Sequence, residues 1–174
     1  MRQRILSLVI LFRESVADWD HRNESAMIRW LSREAFRENL TGRYHLIFLD
    51  DDSIKALNRE FLHEDLPTDV LSFNLVEKEN YKLTLDWEVG ENPMPDGEIY
   101  VSLQRAAEQA KDYIVSLTEE ISRLALHGLL HLAGWRDEDR SSRAAMSKRE
   151  DEGLNRGRTT EGNFPWLFSP PASV

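Results

Sequence analysis

The chain has 174 residues, a net charge of −9 and no cysteine. Its length suits one domain with its own core. The missing cysteines exclude disulfides, thiolate metal sites and cysteine nucleophiles, and the acidic balance argues against nucleic-acid binding by bulk attraction.

Met1-Arg2-Gln3-Arg4 followed by Ile5 to Phe12 imitates a signal peptide. The apolar run is short, Arg13 and Glu14 follow where a cleavage region is small and neutral, and the run is far too short to cross a bilayer. Arg4 to Phe12 therefore reads as a first strand, and the protein is expected in the cytoplasm with no membrane partner. Asn23 or Ser25 caps a helix to about Glu38, with Met27, Ile28, Leu31, Ala35 and Phe36 on its inner side. Thr41-Gly42 is a turn, and Tyr44 to Leu49 a second strand. Asp50 to Ser53 caps a short helix carrying Ile54, Leu57 and Phe61. Pro67 stops what precedes it, and Asp69 to Leu75 is a third strand.

Glu77 to Asp96 is polar, holds Pro93 and Pro95, and reads as a long loop. Gly97 to Ser102 is a fourth strand and Leu103 to Tyr113 a helix. Ser116 or Thr118 caps the next helix, with Glu119 and Glu120 well placed in its first turn. Ser141 or Ser142 starts a last helix to about Leu154. We expect one domain over 1–155 and a C-terminal tail over 156–174, pinned by Trp166, Leu167 and Phe168. Strands and helices mix without strict βαβ alternation, so the class is α+β, a four-stranded sheet packed with helices. Arg105, Lys111 and Arg123 are candidates for a local basic patch.

The stretch richest in chemistry is His127-Gly128-Leu129-Leu130-His131-Leu132-Ala133-Gly134-Trp135-Arg136-Asp137. At about 100° per residue the two histidines stand roughly 40° apart on a helix, one turn above the other, and can grip one metal ion. Ile121, Leu124, Ala125, Gly128 and Leu132 form an apolar stripe at helical period, which buries the helix and leaves the histidines at its edge. Gly134 offers a helix stop, and Asp137 beyond it is the candidate third ligand, with Glu138 and Asp139 as fallbacks.

Three segments resemble one family, the YbeY endoribonucleases, also described as rRNA maturation factors. They are Leu57-Asn58 leading to Asp65-Leu66-Pro67-Thr68-Asp69-Val70-Leu71-Ser72-Phe73, then Gly97-Glu98-Ile99-Tyr100-Val101-Ser102 with Ala106, Gln109 and Ala110, and then the histidine stretch. Met146 and Glu150 also fit that family's last helix. The resemblance implies a small zincin-like fold with one zinc ion on a central helix. It also implies a metal-dependent single-strand endoribonuclease of ribosomal RNA processing and ribosome quality control, with the small ribosomal subunit or its proteins as partners. Carried over, His127 and His131 are the first two ligands and position 137 the third.

Two segments depart from the family. The third ligand is Asp137 in place of histidine, preceded by Arg136 in place of an acid. Aspartate binds zinc at about 2.0–2.2 Å; its charge predicts a weaker Lewis acid and admits harder divalent metals. The family's arginine before the third strand falls at Leu62, and its lysine at Glu64. Leucine can neither contact phosphate nor stabilise charge. Thr68, Asp69 and Ser72 are expected to line the cleft, the hydroxyls as hydrogen-bond donors. Two rival readings are a zinc peptidase, which lacks the H-E-x-x-H glutamate because Gly128 stands there, and a ribosome-associated factor with a structural metal.

Overall fold

A computed structural model of the chain describes residues 6–12, 24–76 and 95–160. The helix bearing both histidines, α4 (Leu117–Leu132), packs against most of the other elements. They are β1 (Ser7–Phe12), α1 (Glu24–Arg37), β2 (Arg43–Leu49), α2 (Asp51–Leu62), β3 (Val70–Asn74), β4 (Gly97–Ser102), α3 (Leu103–Tyr113) and α5 (Arg140–Thr160). The sheet has the order β1-β2-β4-β3. The first two pairings are parallel, with Leu46 opposite Ile10 and Ile99, and β3 runs antiparallel to β4. This is the expected mixed four-stranded α+β arrangement.

Alternation along the strands sorts the core into two layers. Leu46, Phe48, Ile99 and Val101 face one side, with Trp30 and Leu31 of α1 and Leu124, Ala125 and Leu129 of α4. Ile47, Leu49, Leu71 and Tyr100 face the other, under Ile54 and Leu57 of α2. Asp50 caps α2 by accepting from the Ser53 backbone N–H, and of the two candidates for α4 it is Ser116 that caps, accepting from Glu119. Ser25 lies inside α1, while Asn23 is outside the described residues.

The last helix differs from its expected bounds. Asp139 caps it, accepting from the backbone N–H groups of Ser141 and Ser142. It then runs past Asn155 to Thr160. Leu154 and two glycines, Gly153 and Gly157, are buried along it, and Arg156 forks onto the buried carboxylate of Glu34 on α1. That ion pair ties the start of the segment assigned to the tail, residues 156–160, to α1. Residues 77–94 of the long loop, and Trp166, Leu167 and Phe168, lie outside the described residues. No helix among the described residues is long and apolar enough to cross a membrane.

Candidate metal centre

α4 ends where the sequence puts a stop. The Trp135 backbone N–H donates to the Leu130 carbonyl and that of Gly134 to the His131 carbonyl, at 3.0 and 2.9 Å. This pair of bonds is a Schellman motif, which needs a left-handed residue at its turn. Gly134 supplies it at φ +92°. The chain then doubles back, and Asp137 returns to the face that carries the histidines.

His127 and His131 turn their Nε2 atoms toward each other at 3.0 Å. Their Nδ1 atoms are already used: His127 Nδ1 is 2.7 Å from the Glu150 carboxylate, and His131 Nδ1 is 3.2 Å from the Trp135 carbonyl. A carboxylate or a carbonyl only accepts, so each Nδ1 carries the hydrogen, and a ring in its neutral form presents a bare Nε2 lone pair. Two lone pairs so close repel unless a cation or a proton lies between them. Two bonds of about 2.0–2.1 Å at a tetrahedral angle span roughly 3.3 Å, so the observed separation suits one ion. The Asp137 oxygens stand 3.9 Å from each Nε2, and the three donor atoms lie within 4.8 Å of one another. Two imidazoles and a carboxylate are a donor set that fits a divalent metal.

The fallback carboxylates are committed elsewhere. Glu138 pairs with Arg136 at 3.6 Å, and Asp139 caps α5. The cap of α5 and the pairing of Arg136 are thus filled by residues other than Asp137. Burial, and after it the neighbouring His127, hold the His131 pKa below the ordinary histidine range, against the pull of Asp137. The fold therefore favours the neutral ring, the form that can ligate.

The three residues expected to line the cleft are all tied into the scaffold. Ser72 on β3 donates to the Gly128 carbonyl of α4 at 3.0 Å. Thr68 donates to Asp69 Oδ1, and Gln109 of α3 donates to Asp69 Oδ2 at 2.9 Å. Arg123 connects this cluster to the histidines. It donates to Gln109 and to the buried Glu120, and stands 3.9 Å from the carboxylate of Glu150. The basic patch is largely neutralised: Arg123 pairs with Glu120, and Arg105 with Asp51 and Glu108. Leu62 is exposed at the end of α2, and His63 closes that helix in the left-handed region at φ 62°.

Sequence reasoning missed the bracing of the histidines. Glu150 was visible only as a feature of the last helix. The signal for it was an acid one turn after Met146 on a face that is otherwise apolar. Trp135, whose carbonyl holds His131 and whose indole donates to Glu38, carried no local signal at all.

Residues 13–158 match the family model described as Endoribonuclease YbeY. An endoribonuclease YbeY of Flavobacterium psychrophilum is 33% identical over 138 residues, covering 79% of this chain and 89% of its own length. That of Macrococcus caseolyticus is 41% identical over 108 residues, covering 62% and 67%. The solution structure of a Thermotoga maritima protein superposes with a TM-score of 0.55 at 24% identity, over 96% of this chain and 99% of the other, a likeness of fold. The matched region takes in α1 through most of α5 with the whole His-His-Asp cluster, and the chain belongs to the endoribonuclease YbeY family of hydrolases.

Proposed function

We propose that the protein is a metal-dependent endoribonuclease that cuts single-stranded RNA, working on ribosomal RNA in maturation and ribosome quality control. Its place is then the cytoplasm, beside the small ribosomal subunit or its proteins. The observation that carries the metal dependence is the pair of Nε2 atoms facing each other at 3.0 Å with Asp137 beside them. Family membership supports the nuclease chemistry and the RNA substrate.

In this reading His127, His131 and Asp137 hold one ion, zinc first, with harder divalent metals admitted by the carboxylate oxygen. When bound, such an ion supplies Lewis acidity toward a phosphoryl oxygen. The chain's own residues arrange the site. Asp137 brings the negative charge that balances the ion, and Ser72 ties α4 to β3. We assign Thr68 and Asp69 to shaping the segment before β3, because both Asp69 oxygens already accept hydrogen bonds. The single domain extends through the end of α5. A peptidase of the H-E-x-x-H pattern would need a glutamate at position 128, where a side chain runs into Ile99 and Ser72; any other would have to bring its carboxylate from elsewhere.

The test is cleavage of a fluorogenic single-stranded RNA by wild type and His127→Ala, with a duplex of the same sequence as control. The reading predicts cleavage of the single strand only, lost on chelation and lowered at least a hundredfold in the variant. Equal cleavage by the variant would falsify it.

A further inference from the structure

The last helix supplies no ligand, yet it reaches all three ligand positions. Glu150 is a buried carboxylate on a helix whose other buried residues are Met146, Gly153, Leu154 and Gly157. A carboxylate in such a place is costly unless it is paired. Its nearest partner is His127 Nδ1 at 2.7 Å, while the neighbouring cation, Arg123, lies farther away at 3.9 Å and is already taken by Glu120. One residue earlier, Arg149 grips Glu38, just past the end of α1, through Nε at 2.5 Å. The other Glu38 oxygen accepts from the Trp135 indole at 2.9 Å, and the Trp135 carbonyl accepts from His131 Nδ1. Two turns before Glu150, Arg143 Nε donates to the backbone carbonyl of Asp137 at 3.3 Å.

We propose that α5 is the positioning helix of the metal centre: Glu150 orients His127, Arg149 holds His131 through Glu38 and Trp135, and Arg143 holds the Asp137 loop. Without this helix each imidazole is free to rotate or to move its hydrogen to Nε2, and either change removes a lone pair from the site. The inference rests on the metal reading above and assigns the residues that make the three ligands converge. Second partners of this kind typically carry 10- to 100-fold in metal affinity.

The experiment is zinc affinity by chelator competition on the full chain, for wild type, Glu150→Ala, Glu150→Gln, Arg149→Ala and Asp151→Asn. Asp151 is exposed on the same turn and controls for loss of one negative charge. The carboxamide oxygen of Gln can still accept from Nδ1, so Glu150→Gln should weaken zinc by about 3- to 10-fold and Glu150→Ala by about 10- to 100-fold. Arg149→Ala should weaken it about 3- to 10-fold, and Asp151→Asn by less than twofold. In the zinc-free protein, long-range nitrogen–proton NMR should find His127 as the Nδ1–H tautomer in wild type and Glu150→Gln, and shifted toward Nε2–H in Glu150→Ala. A purely packing role would lower the melting temperature without moving the tautomer. Wild-type affinity in Glu150→Ala, or equal losses in Glu150→Ala and Asp151→Asn, overturns the positioning role while leaving the metal reading intact. A wild type that takes up no zinc overturns both.

Discussion

Gly128, between the two histidines, sits so close to Ile99 of β4 that a Cβ added to it would lie 2.5 Å from the Ile99 methyl Cγ2 and 2.8 Å from Ser72 Oγ. The histidine helix is thus pressed onto the sheet between its two histidines. Ile99 is fully buried and has no room to retreat. We expect Gly128→Ala to destabilise by about 1–3 kcal/mol, the usual cost of overpacking. Gly153→Ala on α5 meets the end of the Leu126 side chain at 2.6 Å, a buried group, but regains about 0.5–1 kcal/mol of helix propensity and has one close neighbour where Gly128 has two. It should cost less than Gly128→Ala. Urea unfolding of the two variants separates them; equal losses would contradict the account of α4 packing.

Asp139 begins the helix on which the ligands lean. Hydrogen bonds from the Ser142 and Ser141 backbone, in that order, lower its pKa below the ordinary aspartate range. A carboxylate with a depressed folded pKa contributes stability above its unfolded pKa, and that contribution fades as the pH falls through the folded value. Asp139→Ala should therefore melt earlier than wild type at neutral pH, with the gap closing in acid. Asp139→Asn should be intermediate at neutral pH, because asparagine also caps. Thermal melts across the acidic range check this, and a gap that widens as pH drops would contradict it.

Leu62 is more than half exposed at the end of α2, where the family pattern has arginine. If that position faces the RNA backbone, Leu62→Arg adds one phosphate contact. The expected gain is on the order of tenfold in cleavage of single-stranded RNA, the worth of one charge-assisted hydrogen bond. The salt dependence of RNA binding should steepen by roughly one phosphate contact. A variant with unchanged cleavage and unchanged salt slope would place the position outside the substrate path.

How legible all this was in the sequence depended on range. The bounds of β4 and α3, and the Asp50 cap, follow from neighbours a few residues apart, and they were readable. So were His127, His131 and Asp137, because a helical pair and a glycine stop bring them together within eleven residues of chain. The end of α5 was not readable, since it is held by Arg156 on Glu34, a pair separated by 122 positions. The bracing of the histidines was hidden for the same reason: Trp135 and Arg149 meet on Glu38 across 97 and 111 positions. Of the candidate basic residues, Arg105 and Arg123 each pair with a carboxylate, at 3.0 and 2.5 Å.

The most direct test of the central claim is elemental analysis of protein purified without an affinity tag, on wild type and Asp137→Ala together. The account predicts close to one divalent metal per wild-type chain, and its loss or a steep fall in the variant, with both chains folded by circular dichroism. Full retention of metal in Asp137→Ala, or no metal in a wild type dialysed against zinc, would contradict the His127-His131-Asp137 centre.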